Sequence, residues 1–534
     1  MEASFTYGMS RSRVLLSSFF AILAAAVPAR AQQIIDGQTI DQASPWNIGS
    51  ALYVGQSGAG TLNILSGGAV SNTSGYIGYY LGSNGRVTVN GPNATWTNSS
   101  SLYVGYSGIG SLGITGGGIV SSYGGNVGSS TTGSGTVTVD GAGSKWSISS
   151  GGLAVGSSGT GRLDITRGGT VSNTYGVIGN SSGSNGTVTV NGTGSTWTNS
   201  DNLTVGSDGT GTLIIRNGGV VTSANGRSDI GYWQTGNGTV QVEGAGSKWT
   251  ISGYLTVGLL GTGSLSITNG GAVSNSMGYV GNKTGAHGEV TVDGAGSTWT
   301  NSMILFVGTE NGSSASLHIT SGGAVVSNFG GTVAINGGSL ADIIVDGPGS
   351  KWTMAYGDFE IGRAGTGTMS ITNGGVVSDV DGNIANNPSG VATVRVDGAG
   401  STWTNNGNLY VAAGAIYTVP SGGNGTLTIS NGGTVNAVNV QLGNDAGGQG
   451  IINIGAAQGD LAVAPGRLNA STLSLKNYGS LVFNHTDTTG GYFFTPDISG
   501  TGTVEQSAGT TVLTGANTYS GATKSYGRNW VMTE

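Results

Sequence analysis

The 534-residue chain contains no cysteine. That excludes a disulfide framework, a thiolate zinc site and a cysteine nucleophile. Charge is scarce as well: Asp, Glu, Lys and Arg make up 8% of the residues, against roughly 25% in ordinary soluble domains. The net charge is −7 and spread thinly. No basic patch is available to neutralise phosphates, so nucleic acid is not an expected partner. Only three histidines occur, His287, His318 and His485. His287 lies in a Gly-rich loop. His318 stands at a repeat position otherwise held by Asn, Gly, Asp, Ile or Ser. There is no HExxH. Gly179-Asn180-Ser181-Ser182-Gly183 has the letters of a nucleophile elbow, but no helix follows it. The Gly-x-Gly pairs precede strands, which disqualifies them as a dinucleotide fingerprint. We therefore expect no catalytic residue, no cofactor and no enzymatic activity. A β-helix lyase or hydrolase is the distant alternative, and it would need Asp, Glu, Lys or Arg clustered in one region.

Glycine is what the chain has in excess, with 106 residues. Gly and low charge alone would suit a disordered linker. However, 36% of the chain is apolar, and Val, Ile and Leu recur at ordered positions, so a core can form. The segment from Met1 to Ala31 has a separate role. Arg11 and Arg13 form a positive start, Val14 to Val27 an apolar stretch too short to span a bilayer, and Ala29 and Ala31 occupy the −3 and −1 positions before Gln32. This reads as a secretory signal peptide cleaved after Ala31, with Met9 as an alternative start. No later stretch resembles a transmembrane helix.

The rest is a repeat. LYVGQSGAGTLNILSGGAVSN begins at Leu52 and returns in variant form from Leu102, Leu153, Leu203, Leu255, Leu305, Phe359 and Leu409. That makes about eight repeats of roughly 50 residues, the last degenerate. A second half follows each, marked by Trp96, Trp146, Trp197, Trp249, Trp299, Trp352 and Trp403. The two halves resemble one another, so the structural unit is about 25 residues. Segments such as Thr136-Val137-Thr138-Val139-Asp140 alternate apolar and polar, the pattern of a strand with one buried face. Asn-Gly, Asp-Gly and Gly-Gly pairs bound the strands. Such a unit cannot bury its apolar face alone, but coaxial stacking buries it. The expected fold is all-β: a right-handed parallel β-helix of some 16 coils plus a C-terminal part. A β-propeller with one blade per full repeat is the alternative.

The Trp segments alternate strictly. Thr-Trp-Thr-Asn surrounds Trp96, Trp197, Trp299 and Trp403, whereas Lys-Trp-Ser/Thr-Ile/Met surrounds Trp146, Trp249 and Trp352. The super-period is thus two repeats, about four coils. Lys145, Lys248 and Lys351 would then lie roughly 19 Å apart, beyond two Debye lengths. The Trp stripe reads as filling for a wide core corner, since Ile148 and Ile251 share its face. An exposed ladder that stacks glycans is the alternative. Acidic turn positions Asp140, Glu243, Asp293, Asp346 and Asp397 could attract Ca²⁺. The Gly-Gly-x-Gly-x-Asp signal is missing, with Leu427 standing where Asp belongs, so solvated turns and no metal are expected.

The unit LYVGxSGxGxLxIxxGGxVS…GSxGTVTVxGAGSxWTNS resembles the repeat shared by type V secretion and PEP-CTERM proteins of Gram-negative bacteria, over roughly residues 50–440. Gly500-Thr501-Gly502-Thr503-Val504, with Thr511 to Thr523, resembles the passenger-associated repeat of autotransporters. No PEP-CTERM tail of Pro-Glu-Pro, apolar helix and basic end is visible. The resemblance implies an autotransporter passenger: export by the Sec machinery, passage through an outer-membrane β-barrel, and folding outside as a β-helix. Many such passengers act as adhesins or biofilm factors, so surface molecules of host or neighbouring cells become candidate partners. The stretch from Lys524 to Glu534 is too short to encode a barrel. The translocator is therefore expected outside this chain, and the product would be periplasmic without one. The organisation is read as signal peptide 1–31, N-terminal cap 32–51, repeat β-helix 52–440, irregular β-helix extension 441–499, passenger-associated repeat 500–524 and aberrant tail 525–534.

Overall fold

The computed structural model describes residues 32–414 and 422–526 and the backbone of the strand Trp530–Met532. The segment carrying Ala29 and Ala31 lies outside the described residues, and Gln32 is exposed. Among the described residues there is no helix. Everything regular is parallel β-structure.

The repeat motif explains the architecture strand by strand. L-x-V and its counterpart G-x-[I/V] form three-residue strands such as Leu52–Val54 and Gly75–Ile77. G-x-[L/V]-x-[V/I]-x forms the long strands, such as Asn84–Asn90 and Ile109–Thr115. The V-S-N and W-T-N segments form four-residue strands, such as Ala69–Asn72 and Thr95–Asn98. Each strand pairs in parallel with its counterpart one coil before and one coil after. Leu52 is opposite Gly75, and Gly75 opposite Leu102. Val87 is opposite Leu112, and Val70 opposite Trp96. Three sheets therefore run along the stack. The first contains 19 strands, one per coil of about 25 residues. At ~4.8 Å per strand the stack is on the order of 90 Å long. Wholly parallel pairing between successive coils rules out the propeller alternative, whose blades are separate sheets around a central channel.

The stack extends beyond the visible repeat. Gln33–Ile35, Gln38–Gln42 and Pro45–Asn47 already make a coil, paired with the next one in all three sheets. After Leu442 the first sheet continues through Thr472–Leu475 and Asp497–Gly500. The third sheet ends at Arg467–Asn469. A small parallel sheet of Tyr492–Phe494, Thr511–Leu513 and Trp530–Met532 follows.

Inward Val, Ile and Leu side chains form one continuous core, nearly all with 0% exposure. Each contributes about 1.5–3 kcal/mol of burial. The corner between the first two sheets needs a left-handed residue, which Gly78 supplies (φ 69°). A Cβ there would lie 2.1 Å from the Ile109 carbonyl oxygen of the next coil. At Gly78 both conformation and close approach thus favour glycine.

Candidate functional site

The repeat tryptophans face inward. Trp96, Trp146, Trp197, Trp249, Trp299, Trp352 and Trp403 all have 0% exposure, which removes the exposed-ladder alternative. They also do not form an unbroken ladder. Each is opposite a valine of the coils above and below: Val120 is opposite both Trp96 and Trp146, and Val171 opposite both Trp146 and Trp197.

The space for each indole comes from the first sheet. In the Trp coils the first residue of that sheet is Gly: Gly75, Gly125, Gly176, Gly278, Gly331 and Gly382. A Cβ on any of them would lie 2.8–2.9 Å from Cζ2 of the tryptophan in the same coil. In the Val coils the residue is Leu or Phe, as at Leu52, Leu102 and Phe359. Each coil thus carries a large–small pair across the core, Gly with Trp or Leu with Val. Constant core volume makes two coils, rather than one, the period of the sequence. Ser228, fully buried, takes the Gly place opposite Trp249.

The indole N–H groups explain the longer period. Trp96, Trp197 and Trp299 donate to the Oδ1 of Asn72, Asn173 and Asn275 at 2.6–2.7 Å. Those asparagines donate through Nδ2 to Oδ1 of Asn98, Asn199 and Asn301 at 2.6–2.7 Å. Trp146, Trp249 and Trp352 donate instead to the hydroxyls of Ser122, Ser223 and Ser327. Ile148, Ile251 and Met354, all buried, then fill the second place. The four-coil super-period is therefore a core alternation between an amide pair and a hydroxyl–apolar pair. Lys145, Lys248 and Lys351 mark it on the exposed face.

One coil departs from this scheme. Where an asparagine is due, Asp379 stands with 0% exposure, accepting from Trp403 at 2.6 Å. It has no amide N–H to give Asn405, its register partner. Asp379 Oδ1 and Asn405 Oδ1 are both buried without a partner. Burial, with Asp358 and Asp381 nearby, pushes the Asp379 carboxyl up to about 8. At neutral pH it keeps its proton. A neutral carboxyl has an O–H that can replace the missing amide donor.

The remaining candidate groups are scattered. His287 Nδ1 lies 2.8 Å from the Ser314 hydroxyl, and His318 Nε2 3.7 Å from Asp342. His485 is fully buried against Thr511, and burial lowers its pKa. Each histidine stands on a different coil, and the structure does not bring them together. The acidic turn residues end the long strands and hold the following coil. Asp140 accepts from Thr166 and Arg167, Asp293 from Thr320, Asp346 from Thr372, and Asp397 from Ser430. At this position at least one coil with Thr, Asn or Arg in place of the acid separates each of these carboxylates from the next, as Thr320 does Asp293 from Asp346 and Thr372 does Asp346 from Asp397. Among the described residues no group of three or more His, Asp or Glu could hold a metal ion.

Outside, aromatic side chains gather at several places, Tyr279 on Phe306 and Phe329 on Tyr356 among them, and two further features bear on function. Tyr53, Tyr76 and Tyr103 stack along the first sheet at 4.8–4.9 Å. Tyr79 and Tyr106 stack beside them at the adjoining corner, edge-on to the first row. Mutual burial and neighbouring phenols raise the pKa of Tyr53, Tyr76 and Tyr79. The second feature is Trp233, which is 51% exposed. The signal for the tyrosines was their recurrence at the middle position of L-x-V, which faces out.

No protein-family model matches the chain, and no curated protein matches it. Among solved structures it is similar to the TibC-catalysed hyper-glycosylated fragment 55–350 of TibA. That similarity has 15% identity and a TM-score of 0.26, over 85% of this chain and 98% of the fragment.

Proposed function

We propose that this chain is an exported, autotransporter passenger-type structural protein that contacts the surface molecules of host or neighbouring cells. The observation that carries this reading is the stack itself. Its core is closed from Ile35 to Leu513, and its outer faces are charge-poor. Its ligandable side chains are aromatics at the corners rather than convergent acids and bases. The signal-peptide pattern and the passenger-type repeats support export. In this reading the chain has no catalytic role. Its adhesive contact lies on the tyrosine-rich early coils, where Tyr80 is 54% and Leu81 74% exposed. Such an apolar, hydroxyl-edged patch suits contact with another surface.

Expression in a Gram-negative host tests both halves. The expected product is cleaved between Ala31 and Gln32 and recovered outside the cytoplasm. Cells or beads coated with it adhere to target cells, and Tyr79→Ser with Tyr80→Ser reduces adhesion several-fold without loss of folding. An uncleaved cytoplasmic product would overturn export. Adhesion unchanged by the tyrosine substitutions would overturn the contact surface.

A further inference from the structure

Coil 228–251 rewrites the repeat at its corner, at the place where an early coil carries Tyr79, Tyr80 and Leu81. Where another coil reads Gly176-Val177-Ile178-Gly179-Asn180-Ser181-Ser182-Gly183, this one reads Ser228-Asp229-Ile230-Gly231-Tyr232-Trp233-Gln234-Thr235. The changes put large and planar side chains where small ones form a plain turn. The corner is nevertheless as firmly held as its neighbours. Tyr232 N–H donates to the Gly206 carbonyl, and Trp233 N–H to the Ser207 carbonyl at 2.8 Å. Gly236 N–H closes the turn onto the Trp233 carbonyl at 2.8 Å.

The side chains form a braced chain. Asp229, 2% exposed, sits between Thr204 and Thr256 on the first sheet. Its carboxylate accepts from Arg227 Nε at 2.9 Å. The Arg227 guanidinium lies 5.5 Å from the centre of the Tyr232 ring, and Tyr232 meets Trp233 edge-on at 4.9 Å. A buried carboxylate thus fixes an arginine, the arginine a tyrosine, and the tyrosine an exposed indole. Beside the indole is an open cleft of about 500 Å³ lined by Asp208, Trp233, Gln234, Thr235 and Leu260. That is within the usual range for a small-ligand site. The Thr235 hydroxyl shares its proton between the Asp208 backbone carbonyl, at 2.9 Å, and the Asp208 carboxylate, which locks Asp208 at the rim.

We propose that this cleft binds a neutral carbohydrate, with a sugar ring stacked on Trp233 and its hydroxyls bonded by Asp208 and Gln234. A pyranose presents an apolar C–H face and a rim of hydroxyls. The cleft offers a half-exposed indole held in place and planar polar groups at its edge. Preorganisation lowers the cost of binding, because the aromatic is ordered before the ligand arrives. The charge pattern selects among ligands. Asp208 lines the cleft in a chain of net charge −7, which disfavours sialylated or sulfated sugars. A basic peptide is disfavoured because Asp208 is the one acid lining the cleft. The site is separate from the tyrosine patch and does not depend on the export reading.

The test is fluorescence titration of the purified full chain with cellotriose, maltotriose and chitotriose, and with 3′-sialyllactose as the anionic comparison. The seven repeat indoles are buried and Trp46 is half-buried, so the Trp233 contribution is read as the difference from Trp233→Ala. The expected result is a saturable change with at least one neutral trisaccharide and none with sialyllactose. Trp233→Ala should weaken binding at least tenfold with an unchanged unfolding midpoint. Gln234→Ala should weaken it several-fold, and Trp233→Phe should restore part of it. No response to any neutral trisaccharide, a response that survives Trp233→Ala, or a preference for sialyllactose would overturn the proposal. A folding defect in Trp233→Ala is controlled by Gln234→Ala, whose side chain is exposed.

Discussion

The coils around Asn72/Asn98, Asn173/Asn199 and Asn275/Asn301 and the coil pair around Asp379/Asn405 solve the same problem with one atom changed. In the first three, a buried amide accepts from an indole and donates to the next amide. In the fourth, an oxygen replaces the donating nitrogen and two buried oxygens lack partners. Backbone register is the same in both cases. The stack therefore does not need the amide ladder in order to form. Volume complementarity between Gly382 and Trp403 suffices for the geometry. The ladder adds polar satisfaction, and in the Asp379 coil a proton takes the place of the missing amide donor.

The largest effect should come from attacking the volume match that both versions share. Trp299→Ala should cost about 3–5 kcal/mol in urea unfolding, because it opens a cavity and orphans Asn275. Copying the neighbouring coil type with Trp299→Val and Gly278→Leu together should recover a large part of that loss. Next comes the ladder. Ile251→Asn forces an unpartnered amide next to Ser223, and should cost about 1–3 kcal/mol by the same measurement.

Both substitutions act on features that were partly readable in the sequence. The parallel solenoid, its coil of half a repeat and the buried side of the Trp stripe follow from L-x-V, G-x-L-x-I and the flanking Ile148. The pairing of Gly75 with Trp96 is written in the sequence too, but it emerges only when the half-repeats are compared for their differences. Lys145, Lys248 and Lys351 mark the super-period correctly. Electrostatic spacing gives no reason for Asn and Ile to alternate inside the core, and hydrogen-bond satisfaction does. Trp233 was not legible as a site because it belongs to no period. Its neighbour Asp208 comes from the preceding coil, a proximity that only stacking creates. Beyond Leu442 an irregular β-helix extension is the expectation from sequence, but its strand register is not readable there, because the strands no longer share a motif.

Smaller effects should follow at the corners. Ala334, Ala385 and Ala412 hold positive φ (52–54°) where earlier coils have Gly. Ala385→Gly should therefore raise stability by about 1 kcal/mol, read as a higher thermal midpoint. Smallest of all, Lys248→Thr should change stability by less than about 0.5 kcal/mol, since the side chain is exposed. A larger loss there would return the super-period to electrostatics.

The proton that stands in for the ladder is tested most directly by the pH dependence of Asp379→Asn. In the folded chain the Asp379 carboxyl is raised to about 8 from an ordinary 3.8. Between those values the folded state holds a proton that the unfolded state has released. Its contribution is therefore fully present below about pH 4 and is lost as pH rises through about 8, by up to ~1.4 kcal/mol per pH unit. Thermal unfolding of the wild-type chain and Asp379→Asn should be compared at pH 5, 7 and 9. The asparagine variant should be the more stable, with an advantage that widens from pH 5 to pH 7 and gains less from pH 7 to pH 9. Parallel profiles, or a variant less stable than wild type at pH 7, would contradict a buried, protonated Asp379.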